Sequence, residues 1–186
     1  MAFRIDTPVL HTERLTLRPP CSDDIPVVQR EFGRWEIVKH LSAKVPWPYP
    51  PDGAHHWFHE MVKPLLANKT EAIWAITKRD GPDELIGVIH IMEDTGLGNR
   101  GFWLAESEQN KGYMTEAASA VSDYVFAHTP MTELYVYNAI ENMASRRVKE
   151  KAGAELVREV PCAHRSGNGI SEVWIIRKEA WLKARV

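Results

Sequence analysis

The chain has 186 residues, of which 44% are apolar and 26% charged, with a formal net charge of −2 and a sequence pI of about 6.4. That length allows one domain, residues 1–186, with a sizeable core. The slight acidity argues against a general nucleic-acid or membrane-surface role, either of which needs a basic excess. Two cysteines, Cys21 and Cys162, stand far apart and outside any CxxC spacing. They argue against a disulfide framework or a zinc knuckle and suit a reducing, cytoplasmic setting. The opening residues lack the basic-then-apolar pattern of a leader, and no run approaches the ~18 apolar residues that span a bilayer. Seven tryptophans call for a large aromatic core or an aromatic-lined pocket.

Leu15-Thr16-Leu17-Arg18 alternates as an opening strand and is closed by Pro19-Pro20. Ser22-Asp23-Asp24 supplies an N-cap cluster for a helix running through Val27, Val28 and Phe32, and Trp35 to Leu41 reads as a second short helix. The proline-rich stretch 46–51 must be an extended loop within the domain. Asp52 to Asn68 is helical again, with Trp57, Met61 and Leu65 four apart. Residues 72–78, 84–92 and 101–105, with a turn at 95–99, form an antiparallel meander. A helix over 111–128 follows, then a strand at 133–137. The next helix, 143–152, has Asn142 as N-cap and Gly153 at its C-terminal end. Strands at 155–160 and 171–176 flank a loop at 165–169. The order predicts an α+β (mixed α/β) domain with a single mixed, mostly antiparallel sheet flanked by helices.

Two stretches carry chemistry. In Gln109-Asn110-Lys111-Gly112-Tyr113-Met114-Thr115-Glu116-Ala117, a strand, a polar turn and one glycine lead into a helix N-terminus, which offers unpaired backbone N–H groups to an anion. This is neither a P-loop nor a three-glycine dinucleotide fingerprint, and alone it reads equally well as a plain strand-to-helix turn. The second stretch, one strand later, is Asn142 to Ala154, with Ser145 at the third helical position. On its own, Asn142 reads as a cap and Ser145 as a solvated helix residue. His55 and His59 are four apart on a helix, but the glutamate of HExxH and a third ligand are missing, so no metal is expected.

Together the two stretches resemble the GNAT acetyltransferase superfamily. Its cofactor turn has the form Q/R-x-x-G-x-G/A, continued as Y-x-T-E-A in the ribosomal-protein N-terminal acetyltransferase branch. Its second cofactor helix reads N-x-x-S-x-x-x-x-x-K-x-G. The strands Thr12 to Arg18 and Leu85 to Ile89 also look like that branch. The resemblance implies a sheet splayed between 101–105 and 133–137, with acetyl-CoA entering the gap. Gln109, Lys111, Gly112, Tyr113, Met114 and Thr115 would surround the pyrophosphate. Phe102, Trp103 and Leu104 would lie along the pantetheine, and Asn142 and Ser145 would face pantetheine and thioester. Met114 departs from the small residue that the turn prefers, which leaves two readings open: the side chain points away and binding is kept, or it clashes with the pyrophosphate and weakens the site. Arg146, Arg147 and Lys149 could approach the 3′-phosphate or form a solvated face.

For catalysis, Ser145 is expected to stabilise the leaving thiolate. His164, matched to the carboxylate position of the family, and Glu106 are the candidate bases, with Glu93 and Glu172 as rivals. Trp35, Trp47 and His90 are the acceptor-side candidates. The implied reaction is acetyl transfer to a primary amine, on a protein N-terminus or a small molecule, without metal, nucleic acid or membrane, by a monomer or homodimer. A CoA-binding domain without turnover is the competing reading.

Overall fold

A computed structural model describes residues 4–92 and 98–185. Its strands are β1 (Leu10–His11), β2 (Leu15–Arg18), β3 (Ala72–Lys78), β4 (Gly87–Ile91), β5 (Arg100–Leu104), β6 (Glu133–Ala139), β7 (Glu155–His164) and β8 (Gly167–Arg177). Its α-helices are α1 (Ile25–Phe32), α2 (Trp35–Val38), α3 (Gly53–His56), α4 (Lys63–Asn68), α5 (Tyr113–His128), α6 (Met143–Lys151) and α7 (Lys178–Lys183). Among the described residues the strands form one sheet in the order β1-β2-β3-β4-β5-β6-β8-β7. Every neighbouring pair is antiparallel except β5 and β6. The mixed sheet and its meander are as the sequence predicts.

The sheet is covered on both faces, and β3 shows how. Its residues alternate in period two. Trp74 and Ile76 join the larger core with Leu15, Leu17, Ile89 and the apolar side of α5. Ile73 and Ala75 join the smaller core with Val27, Val28, Phe58 and Val62 of the helices before it. The α5 face is set by Met114, Ala117, Ala118, Val121 and Val125, spaced three and four apart and all buried. Gly87 is required where β4 meets β5, since a Cβ there would stand 2.5 Å from the Trp103 carbonyl oxygen.

Several boundaries differ from the sequence reading. The Ser22-Asp23-Asp24 cluster is itself a 3-10 turn with Cys21 at its N-cap, Asp24 is the N-cap of α1, and the Asp24 carboxylate accepts the Cys21 N–H at 2.8 Å. The helical stretch after the proline-rich loop passes through a π-helical segment, Trp57–Val62, between α3 and α4. The last hairpin is longer than expected: β7 runs on to His164 and β8 starts at Gly167, which leaves a two-residue turn in place of a five-residue loop. Pro161 is tolerated because β7 is the sheet edge. The strand β1 and the helix α7 have no counterpart in the sequence reading. Most of the expected turn at 95–99 lies outside the described residues.

The feature that positions the site is the β5–β6 junction. Although these strands have five and seven residues, they pair only at Arg100 and Val136. Just before it, the Asn99 N–H donates to the Tyr135 carbonyl at 2.7 Å, and the Asn99 Oδ1 accepts the Tyr135 N–H at 2.9 Å. Beyond Arg100 the ladder ends, so the C-terminal halves of both strands are free to diverge, and each leads directly towards a helix that faces the gap.

Candidate functional site

A cavity of about 570 Å³ opens at this gap. Its walls are the end of β5 (Phe102, Trp103, Leu104), the turn into α5 (Gln109 to Thr115 without Lys111), the start of α6 (Asn142 to Ser145) and a segment from Glu36 to Leu41 that includes His40.

The turn is bent by two left-handed residues, Asn110 with φ 61° and Gly112 with φ 83°. Asn tolerates this region better than most residues, and Gly adopts it without penalty. The first bond of α5 runs from the Glu116 N–H to the Gly112 carbonyl at 3.1 Å, so the N–H groups of Tyr113, Met114 and Thr115 precede the helical ladder. They sit at the positive end of a 16-residue helix. The turn is clamped from outside. The Glu116 carboxylate accepts from the Thr12 hydroxyl at 2.5 Å, the Arg14 N–H at 2.8 Å and the Arg14 Nε at 2.7 Å, while Arg14 Nη1 donates to the Lys111 carbonyl at 3.0 Å. Inside the turn, Gln109 Nε2 donates to the Leu104 carbonyl at 3.0 Å.

Met114 is 6% exposed and belongs to the larger core. At the second helical position it packs with the core while also bordering the cavity.

The second helix start is built around Asn142, whose Oδ1 accepts the Ser145 N–H at 3.0 Å. Ser145 borders the cavity and is otherwise buried. Its hydroxyl lies 2.7 Å from Lys149 Nζ. The basic run of α6 divides three ways. Arg146 pairs with Glu150 and Glu172, Lys149 is buried, and Arg147 lines the cavity together with Lys151.

The sequence-derived candidates therefore separate. Phe102, Trp103, Leu104, Glu106, Gln109, Gly112, Tyr113, Met114, Thr115, Asn142 and Ser145 share one cavity, whereas Lys111, His164, Trp35, Trp47 and His90 are outside its lining. Lys111 pairs with Glu108 at 3.1 Å. His164 Nε2 is 2.9 Å from Ser171 Oγ, and its backbone bridges to Ser42, which fastens the last hairpin to the chain after α2. His90 sits against the Glu71 carboxylate. Trp35 and Trp47, on either side of the cavity-lining segment in the chain, pack at a tilt of 50° with ring centroids 5.2 Å apart and are half-exposed. Glu106 is held by Arg34 at 2.9 Å. Glu172 is buried and already accepts from Asn138, Arg146 and Trp174. Glu93 lies outside the described residues. His55 and His59 place their rings 4.3 Å apart, and among the described residues no group of three metal-ligating side chains gathers.

Sequence reasoning passed over His40 and Glu141, both on the cavity wall. Partial burial pushes the His40 imidazole below its usual 6.5, with Lys39 and His164 acting the same way against Glu141. A neutral imidazole at pH 7 accepts a proton. Nothing in the local sequence marked it, because its placement depends on the loop that carries it.

A family model for the acetyltransferase (GNAT) domain matches residues 14–155. Among solved structures, an acetyltransferase of the GNAT family from Bacillus anthracis superposes with a TM-score of 0.77 at 20% identity, covering 92% of this chain and 99% of its own. A ribosomal-protein-S5-alanine acetyltransferase from Vibrio fischeri gives 0.77 at 16%, covering 93% and 98%. A ribosomal L7/L12 α-N-protein acetyltransferase in complex with coenzyme A gives 0.74 at 16%, covering 91% and 97%. Among curated proteins no sequence matches. Among the described residues, no helix is long and apolar enough to cross a membrane.

Proposed function

The chain belongs to the acetyltransferase (GNAT) family, and from that membership we propose that it transfers the acetyl group of acetyl-CoA to the α-amino group of a protein N-terminus, as in the ribosomal-protein branch. The observation that carries this reading is convergence: the start of α5, the start of α6 and the open end of the β5–β6 pair all face one cavity of about 570 Å³.

The residues fit the co-substrate. The N–H groups of Tyr113, Met114 and Thr115 suit the pyrophosphate. Arg147 and Lys151 bring positive charge to the same wall. The free edge of β5 beyond Arg100 offers backbone partners to the amides of pantetheine. An amine must be neutral to attack the thioester. With a pKa near ~8, about a tenth of an α-amino group is neutral at pH 7, against under about a thousandth of a lysine. The remaining proton requires only a modest base, and His40, Glu36, Glu106 and Glu141 are the imidazole and carboxylates on the cavity wall. A backbone N–H near Leu104 suits the oxyanion. The thiol of CoA, with a pKa near the ~8.5 of cysteine, leaves readily, and the Ser145 hydroxyl is placed to meet it.

The test is release of free CoA thiol from acetyl-CoA with a panel of peptides with free N-termini, their N-blocked counterparts and small amines. Turnover confined to free N-termini supports the proposal. Turnover confined to small amines overturns the acceptor, and CoA binding without turnover on any amine overturns the transferase reading.

A further inference from the structure

Lys149 is an unusual residue to find inside a protein. It is 1% exposed, and among the described residues no carboxylate pairs with it. Its Nζ is 2.7 Å from the Ser145 hydroxyl and 3.3 Å from the Ser145 carbonyl, one helical turn back. The Phe102 ring of β5 covers it, with the centroid 5.7 Å from Nζ. The charged groups that face it are Arg100 of β5, itself fully buried, and Glu172 of β8. Glu172 is already occupied by Arg146, Asn138 and Trp174. A buried ammonium without a counter-ion costs stability, and a methionine of similar volume would fill the same space without that cost. Among the described residues its one side-chain hydrogen-bond partner is the hydroxyl of Ser145, a residue that borders the cavity.

We propose that Lys149 is a positioning residue that supplies the proton which Ser145 passes to the departing CoA thiolate. This rests on the acetyl-transfer reading of the cavity. As the tetrahedral intermediate collapses, the C–S bond breaks and the electron pair stays on sulfur. The Ser145 O–H proton moves to sulfur, and a Lys149 N–H proton replaces it on Oγ. The proton that the attacking amine released to the cavity then returns to the neutral Lys149 through the Ser145 hydroxyl. In sum one proton moves from nitrogen to sulfur. Burial and the neighbouring Arg100 push the Lys149 ammonium well below its usual range, against the pull of Glu172. A weakened ammonium is a closer match to a thiol than an exposed lysine is. Serine alone is too weak an acid for the task, and Lys149 alone does not reach the cavity lining.

The experiment compares wild type, Lys149→Met, Ser145→Ala and the double variant by three readouts: the melting temperature, the ultraviolet thiolate titration of bound CoA, and kcat against pH. In the wild type the bound thiol should titrate below the ~8.5 of an ordinary thiol, and in K149M it should move back up by about one unit. The kcat of K149M should fall roughly tenfold, less than the ~10²–10⁴-fold of ordinary acid catalysis because a thiolate leaves without full protonation. Its KM for acetyl-CoA should stay within about twofold, and its melting temperature should be equal or higher. S145A should show the same thiol shift, and the double variant should add nothing to either. A K149M enzyme that melts lower while keeping the thiol titration and kcat of wild type makes Lys149 structural and overturns the proposal. If K149M does not fold, S145A decides alone, and an unshifted thiol in that variant overturns the proposal. Failure of the wild type to bind CoA overturns the acetyl-transfer reading itself.

Discussion

Replacing Met114 by alanine separates two accounts of the turn into α5. If the methionine side chain faced the pyrophosphate, its removal would change cofactor affinity and leave stability nearly untouched. The structure places it in the larger core at 6% exposure, with Ala117, Val121 and Val148 in the same cluster. Truncating a buried methionine to alanine costs about 2–5 kcal/mol. Met114 also borders the cavity, so its surroundings on that side can rehydrate, and the lower end, about 2 kcal/mol, is expected. For a domain of this size each kcal/mol moves the melting temperature by roughly 2–4 °C, so M114A should melt about 4–8 °C lower. The backbone N–H of residue 114 is unchanged, so CoA should still bind within about threefold of wild type, and saturating CoA should raise both melting temperatures by a similar increment. Thermal melts with and without CoA, with calorimetric titration, read all of this. An M114A protein that melts like wild type but has lost CoA binding would refute the placement of this side chain.

Three further outcomes follow from the same geometry. Asn142→Ala removes the bond to the Ser145 N–H and should cost about 1 kcal/mol, seen as a melting-temperature drop of roughly 2–4 °C. Gly112→Ala forces a left-handed Cβ residue at φ 83° with its Cβ 3.3 Å from Arg14 Nη2, at a strain of roughly 1–2 kcal/mol, and should weaken CoA binding along with stability because the turn itself shifts. Burial raises the Glu116 carboxyl, but hydrogen bonds from Thr12 and Arg14 outweigh it and hold the group below its usual 4.5. A depressed carboxylate stabilises the fold fully above the unfolded value and loses that contribution as pH falls through the folded one. Thermal melts from pH 7 downwards should therefore show Glu116→Gln less stable than wild type at neutrality, with the gap closing below about pH 4.5. A gap that persists in acid would place the role of Glu116 elsewhere.

How much of this was legible in the sequence depends on the range of the interaction. The meander, α5 and the cap at Asn142 are written in local periodicity and cap chemistry, and all three stand where the sequence put them. The strand β1 is two residues long and exists through pairing with Leu17 and Thr16, and α7 has no capping side chain, so neither leaves a local mark. The cofactor-side residues other than Lys111 fall together in the cavity because each lies next to a helix start or on β5. The acceptor side was less legible. The candidate base His164 has no local feature that fixes its place, and the structure gives it Ser171 as a partner. His40 reaches the cavity wall only because the segment after α2 is fastened to the last hairpin, a contact more than a hundred residues distant in the chain. Lys149 reads in sequence as one more charge in a basic run, and only packing against Phe102 reveals it as buried.

The position of bound CoA tests the acetyl-transfer cavity most directly. A crystal structure of the CoA complex should place the pyrophosphate on the N–H groups of Tyr113, Met114 and Thr115, the pantetheine along β5, and the sulfur within hydrogen-bond reach of Ser145 Oγ. Pyrophosphate away from the start of α5, or a sulfur out of reach of Ser145, would contradict it.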